Sequence, residues 1–193
     1  MIRFPALLAS ATLAMAALPA LAQNIYVGTL DQNEPVPTGS PGTGTVRVTV
    51  TGTDMRVQTT FSGLVGATTV SHIHCCTALP DQGGAGVATM IPTFTGFPAG
   101  VMAGSYDMTF DMSSAASFNP AFVTNNGGTP ASAFAALVGG FEAGTAYFNI
   151  HTSSFGGGEI RAFLHPIPEP ETYALMLLGL GVVGWAAKRR KSH

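Results

Sequence analysis

The sequence predicts a mainly β protein, an antiparallel sandwich or partly closed barrel with one short helix, between an N-terminal signal peptide and a C-terminal transmembrane helix. Three observations support this fold class. The 193 residues include 24 glycines and 13 prolines, which suits short strands joined by turns better than long helices. Apolar and polar residues alternate over much of residues 23–166. Charged residues make up 9% of the chain and hydrophobic residues 46%, a balance opposite to that of disordered chains.

Alternation with a period of two is clearest in the first half of the chain. Val46, Val48 and Val50 would share one face of a strand. Residues 55–61 alternate in the same way after the hairpin signal Gly52-Thr53-Asp54. The other predicted strands cover 25–30, 70–75, 86–90, 105–112, 145–151 and 159–164, and loops rich in Pro, Gly and Asn cover 33–44, 91–104 and 118–128.

One helix is predicted from residue 130 onwards. Thr129 is a suitable N-cap, Pro130 suits the first helical position, and Gly139-Gly140 would end the helix. An apolar stripe at helical spacing would cover the sheet, and it consists of Phe134, Leu137, Val138 and Phe141.

The first 22 residues are typical of a secretory signal. Arg3 provides a short positive region, residues 6–18 are apolar, and Ala20-Leu21-Ala22 places small residues before a cleavage site at Gln23. Signal peptidase is therefore an expected partner. The alternative, a first membrane span, is less suitable because the apolar run is short and no stop-transfer segment follows it.

The C-terminal segment, residues 167–193, combines three ordered parts. Pro168-Glu169-Pro170 precedes an apolar stretch at 173–187, and a basic cluster follows, which consists of Lys188, Arg189, Arg190 and Lys191. At about 1.5 Å per residue the stretch reaches roughly 22 Å, short of the roughly 30 Å hydrocarbon core. Snorkelling basic side chains would supply some of the missing length. The positive-inside rule places the basic end in the cytoplasm, so the body lies across the membrane.

This tripartite tail resembles the PEP-CTERM sorting signal of Gram-negative bacteria. The resemblance implies recognition by an exosortase, a membrane transpeptidase or protease that cuts near Pro168-Glu169-Pro170. The protein would then be anchored in the inner membrane only before processing, and afterwards it would reach the cell surface or the exopolysaccharide matrix. A plain C-terminal anchor is the alternative.

Charge excludes one class of partner. The body, residues 23–166, contains three arginines, no lysine and eight acidic residues. Such a surface repels phosphate backbones, so nucleic acid is not an expected partner.

A polar cluster is the main candidate for chemistry. His72 and His74 would share one face of a strand, and Asn149 and His151 one face of another. Glu159 and Arg161 would meet the latter pair across a hairpin, and the residues Asn149 and Arg161 would brace it. The candidate ligands for zinc or copper are His72, His74, His151 and Glu159.

Two other interpretations of the cluster remain open. One is a hydrogen-bonded polar network without a metal. The other is an oxidoreductase of the copper–zinc superoxide dismutase type, which requires more histidines than the body offers: His72, His74, His151 and His165. His165 lies beside Pro166 at the edge of the domain and is predicted to be solvated.

Several segments resemble the CHRD domain, the module named after chordin. They are Ser71-His72-Ile73-His74, the Gly-rich loop at 83–86, residues 146–152 and Gly158-Glu159-Ile160-Arg161-Ala162. The resemblance implies a β-sandwich-like extracellular module with no assigned enzymatic activity. We therefore expect a non-enzymatic protein with a binding or structural role, and a surface metal-binding protein is the alternative.

Cys75 and Cys76 are the only two cysteines. An even number of cysteines in an exported protein favours a disulfide, although adjacent cysteines close only a strained ring. A vicinal disulfide, a pair of thiols that bind a soft metal beside His74, and buried thiols all remain open.

Overall fold

The computed structural model of the chain describes residues 23–32, 37–167 and 177–181. The predicted signal peptide at 1–22 lies outside these residues, as do Pro168, Glu169, Pro170 and the basic cluster Lys188, Arg189, Arg190 and Lys191. Most of the apolar stretch at 173–187 lies outside them as well. Among the residues that are described, no helix has the length and apolar character needed to cross a membrane.

Between residues 23 and 167 the described chain forms eight strands and three short helices. The strands are β1 Gln23–Leu30, β2 Thr43–Thr51, β3 Asp54–Ser62, β4 Thr68–His74, β5 Gly104–Asp111, β6 Tyr147–Thr152, β7 Ile160–Phe163 and β8 His165–Ile167. The helices are a 3-10 helix at Ala115–Ser117, α1 Pro120–Asn125 and α2 Pro130–Glu142.

The strands form two antiparallel sheets that do not close into one barrel. Sheet A has the order β5-β3-β2-β1-β8, and sheet B has the order β4-β6-β7. The register of β2 against β3 pairs Val48 with Val57 around the two-residue turn at Gly52. The backbones of Asp31 and Arg161 exchange hydrogen bonds where the two sheets meet. The predicted mainly β, antiparallel architecture is confirmed.

The core lies between the two sheets and under α2. Side chains that alternate along the strands supply most of it, because each strand turns one face inwards. Among the least exposed are Tyr26, Leu30, Val48, Val57, Ile73, Phe94, Phe148, Ile150 and Leu164. Helix α2 adds Leu137 and Phe141, and the Phe141 ring lies 4.8 Å from that of Tyr26. Packing of these apolar faces supplies the main driving force for the fold.

The predicted strand at 86–90 is wrong. These residues form only isolated bridges, His74 with Val87 and Thr89 with Phe118. The reason is that a side chain takes the place of a ladder partner. The N–H of Ile73 donates to Thr89 Oγ1 (3.0 Å), so a regular backbone ladder does not develop there.

The predicted end of the helix at Gly139-Gly140 is also wrong. Helix α2 begins as predicted, with Thr129 as its N-cap and Pro130 in its first turn, but it continues to Glu142. It is Gly144, with a φ of 64°, that adopts the left-handed conformation beyond the helix. Helix α1 was not predicted, although Asn119, which caps it, and Pro120 are typical of a helix start.

Gly140 instead permits close packing of α2 on sheet B. A Cβ atom added at Gly140 would lie 2.5 Å from Cys75 Sγ and 2.8 Å from Cys76 Sγ. Gly140→Ala should therefore lower the free energy of unfolding by about 1–3 kcal/mol, as overpacking does. Gly139→Ala is the matched control, because no atom lies within 4 Å of its added Cβ, and it should raise stability by up to about 1 kcal/mol. Chemical denaturation measures both; equal effects would contradict the packing role of Gly140.

Candidate metal centre

The polar cluster lies on the face of sheet B that points away from the core. Strand β4 presents His72 and His74 there, and β6 presents Tyr147, Asn149 and His151. The register places His72 opposite Asn149 and His74 opposite Tyr147. The intervening residues, such as Ile73 and Ile150, point into the core and are fully buried. The period of two along each strand thus separates the cluster from the core.

This outward face is nevertheless buried, because loops cover it. The solvent-exposed fractions of His72, His74 and His151 are only 6%, 8% and 9%. Each imidazole contacts a backbone carbonyl of a covering loop, and the distances are 2.6 Å from His72 Nε2 to Pro92 O, 2.9 Å from His74 Nδ1 to Ala85 O, and 2.8 Å from His151 Nδ1 to Gly156 O.

These carbonyl contacts determine which nitrogen of each ring carries the proton. A carbonyl oxygen can only accept a hydrogen bond, so the nitrogen that faces it must donate. In a neutral imidazole the other nitrogen is then an acceptor with a free lone pair. The lone pairs belong to His72 Nδ1, His74 Nε2 and His151 Nε2.

The three histidines point ligand atoms at one another. One ring nitrogen from each lies within 4.8 Å of those of the other two, and the ring centroids are 5.5 to 5.9 Å apart. His72 Nδ1 and His74 Nε2 are buried and have no hydrogen-bond partner. His151 Nε2 lies 3.3 Å from Asn149 Nδ2. The buried lone pairs of His72 Nδ1 and His74 Nε2 thus lack a donor, which is unfavourable unless a cation or a water molecule lies beside them.

Burial favours the neutral form of His72 and His74. Desolvation lowers the pKa of His72, although the carbonyl of Pro92 acts in the opposite direction. The pKa of His74 falls to about 4, mainly through burial, although the carbonyl of Ala85 acts in the opposite direction; proximity to the other two imidazoles and to Arg161 lowers it further. The lone pairs of both rings are therefore available at neutral pH, which metal binding requires.

A stack of side chains fixes the His74 ring. The Tyr147 ring lies parallel to it, with centroids 4.8 Å apart and an interplanar angle of 6°. Arg161 covers the Tyr147 ring, with its Cζ atom 4.7 Å from the centroid, and donates from Nη1 to the carbonyl of Gly83 (2.8 Å). The predicted network role of Arg161 thus consists of contacts with Tyr147 and the Gly-rich loop.

The three imidazoles fit a transition-metal ion in type and in setting. Metal-bound histidines typically donate their second ring N–H to a carbonyl or carboxylate, which fixes the tautomer. All three rings make such a contact with a loop carbonyl in this structure. Three nitrogens bound about 2.0–2.1 Å from one ion lie about 3.5 Å apart, so ring movements on the order of 1 Å would close the set.

Glu159 does not join the histidines, although the sequence places it among the candidate ligands. Its carboxylate accepts hydrogen bonds from Ser40 Oγ (2.5 Å), the backbone N–H groups of Val65 (2.6 Å) and Gly66 (3.0 Å), and Thr152 Oγ1 (2.7 Å). Burial alone would raise the pKa of Glu159, but the hydrogen bonds lower it below its usual value. Glu159 therefore links three chain segments, which contain Ser40, Val65 with Gly66, and Thr152.

Asn149 lies beside the histidines, as predicted. Its Nδ2 atom donates to the carbonyl of Gly157 (3.2 Å) and lies 3.3 Å from His151 Nε2. Gly158 packs against the same amide so closely that an added Cβ would overlap it. The strand register places Asn149 opposite Arg161 across β6 and β7.

The two cysteines lie apart from the ligand atoms of the cluster. Cys75 and Cys76 form a vicinal disulfide, and both sulfurs contact the backbone of α2 around Gly140. His165, which the sequence predicts to be solvated, is half-exposed, and its Nε2 lies 2.7 Å from Asp81 Oδ1.

Sequence reasoning missed the groups that orient the rings. The carbonyls of Ala85, Pro92 and Gly156 leave no signal in side-chain identity, because any residue carries a carbonyl. Tyr147 could have been predicted at the cluster, since it lies two residues before Asn149 on the same predicted strand and so shares its face.

Comparison with protein families gives two matches. A model of the CHRD domain matches residues 26–164, which include the whole histidine cluster. A model of the PEP-CTERM protein-sorting motif matches residues 166–191. Neither the curated proteins nor the solved structures provide a match.

Proposed function

The chain belongs to the CHRD-domain family, and on this premise we propose that it is a surface protein that binds one zinc or copper ion through His72, His74 and His151. The observation that carries the proposal is the convergence of three ring nitrogens within 4.8 Å. In addition, one nitrogen of each ring is held by a loop carbonyl. A metal-free network explains this arrangement less well, because it leaves the buried lone pairs of His72 Nδ1 and His74 Nε2 without a donor.

The metal content of the exported protein tests this proposal. Protein purified in the absence of chelators should contain about one equivalent of zinc or copper per chain, because three-histidine sites bind these ions strongly. A variant with both His72→Ala and His151→Ala should contain none. Wild-type protein that is free of metal and takes up none on dialysis against either ion would contradict the proposal.

The sorting motif supports delivery to the cell surface. The match at residues 166–191 indicates processing by an exosortase-type enzyme in a Gram-negative bacterium. We place the processed protein at the surface or in the exopolysaccharide matrix, where a metal-binding domain would retain ions outside the membrane. Membrane anchoring before processing is part of the same proposal.

Processing predicts a shortened C-terminus. Because an exosortase would cut near Pro168-Glu169-Pro170, mass spectrometry of surface protein from a host that has the enzyme should find C-termini close to this motif. A Glu169→Ala variant should keep the apolar stretch and remain in the membrane fraction. Surface protein that still ends at His193 would favour a plain anchor instead.

We assign the cluster no catalytic role. The carboxylate of Glu159, directly before β7, accepts four hydrogen bonds. It is therefore not positioned to act as a general base at the histidines. A structural or binding role agrees with this arrangement.

A further inference from the structure

We infer that the metal centre is a three-coordinate site that prefers Cu(I) to Zn(II). This inference rests on the metal binding proposed above. The features that lead to this preference are the number of ligand atoms, the orientation of the Asn149 amide beside them, and the burial of the rings.

Among the His, Cys, Asp and Glu side chains of the described residues, three offer ligand atoms that converge. Within residues 23–32, 37–167 and 177–181 the group that converges comprises His72, His74 and His151. The carboxylate of Glu159 is turned towards Ser40 and Gly66. The sulfurs of Cys75 and Cys76 are bonded to each other and so have no thiolate to offer.

Asn149 lies beside the three histidines, and the atom that it turns towards His151 is its amide nitrogen. Its Nδ2 is 3.3 Å from His151 Nε2, so N–H hydrogens rather than a lone pair face the cluster. The orientation is fixed, because the same Nδ2 donates to the carbonyl of Gly157 (3.2 Å). A flip of the amide that exchanges Nδ2 and Oδ1 would place Oδ1 against the carbonyl oxygen of Gly157, and this hydrogen bond would be lost. An amide nitrogen that still carries its hydrogens does not bind a metal ion.

Coordination number and charge then favour Cu(I). Zn(II) in proteins is almost always four-coordinate, and Cu(II) prefers tetragonal sets of four or more ligands. Cu(I) is a closed-shell monocation for which three nitrogen ligands suffice. The rings are at most 9% exposed, so water has little access as a fourth ligand. Desolvating a dication in such a site also costs more than desolvating a monocation.

Competition with coloured chelators measures the preference on the exported protein. Cu(I) is kept reduced with ascorbate under nitrogen, which avoids thiol reagents that would open the Cys75–Cys76 disulfide, and Zn(II) is titrated in parallel. We expect Cu(I) to bind more tightly than Zn(II) by more than about tenfold. X-ray absorption should show three nitrogen neighbours around Cu(I). Equal or tighter Zn(II) binding would overturn the preference but leave metal binding intact, whereas no binding of either ion would overturn both.

Substitution of Asn149 tests the reason for the preference. Asn149→Asp replaces the facing N–H group with a carboxylate oxygen and supplies an anionic fourth ligand. Zn(II) affinity should then rise by about 10- to 100-fold, the range that changes next to metal ligands produce, while Cu(I) affinity changes little. Asn149→Ala is the matched control, because it removes the amide without adding a ligand, and it should not improve Zn(II) binding. A folded Asn149→Asp protein with the wild-type ratio of affinities would contradict the inferred role of Asn149.

Discussion

Zinc or copper should raise the melting temperature of the wild-type protein, and His151→Ala should abolish this rise. An ion that binds only the folded state stabilises it by about 4 kcal/mol at a thousandfold excess over its Kd. For a domain of this size that corresponds to an increase on the order of 10 °C. His151 supplies one of three ligands, and two imidazoles would bind the ion far more weakly. Differential scanning calorimetry with and without metal measures the effect.

His165→Ala is the matched control for this experiment. His165 is half-exposed and pairs with Asp81, away from the cluster, so the metal-dependent increase should persist. His72→Ala should behave as His151→Ala does. A metal-dependent increase that survives loss of His72 or His151 would show that the ion binds elsewhere on the protein.

Glu159→Gln should lower the free energy of unfolding by about 3 kcal/mol, because an amide cannot replace a buried carboxylate that accepts bonds from four donors. At least one of Ser40, Val65, Gly66 and Thr152 would then face an N–H group of the glutamine. Urea denaturation of both proteins at pH 7 measures the difference. Asp111→Asn is the control and should change stability little, since the exposed carboxylate of Asp111 accepts hydrogen bonds only from Ser113 among the described residues.

The contribution of Glu159 should also depend on pH in a defined direction. The pKa of Glu159 is lowered in the folded state, so folding favours the charged carboxylate. Its stabilisation is fully present above the pKa of an unfolded glutamate, about 4.3, and is lost as the pH falls through the lower folded value. The difference between wild type and Glu159→Gln should therefore shrink below about pH 4. A difference that stays constant down to pH 2 would contradict the role of the charge.

Strands β1, β2, β3 and β5 of sheet A could be predicted from sequence because buried residues alternate with more exposed ones along them. Strand β8 was not predicted, and all three of its residues are exposed. Val46, Val48 and Val50 alternate with polar residues, and the turn at Gly52 sets the hairpin register. The same alternation placed His72 and His74 on one face. Local patterns of this kind need no knowledge of distant residues, and they yielded most of the fold.

The sequence predictions differ from the structure where tertiary contacts determine the local conformation. Strand alternation predicts that Glu159 shares a face with His151. Its carboxylate instead accepts hydrogen bonds from the loop N–H groups of Val65 and Gly66. Gly140 is typical of a helix end, yet packing against the disulfide explains it better. Residues 86–90 alternate like a strand, but Thr89 bonds to β4 through its side chain. None of these contacts can be inferred from neighbouring residues.

Diffraction data collected at the zinc and copper absorption edges from crystals of the exported protein test the metal centre most directly. We expect one anomalous peak about 2.0–2.1 Å from His72 Nδ1, His74 Nε2 and His151 Nε2, with the other ring nitrogens still bonded to the carbonyls of Pro92, Ala85 and Gly156. A water molecule among the three rings with no anomalous signal, in crystals soaked with either ion, would contradict the metal centre and leave a hydrogen-bonded histidine network in its place.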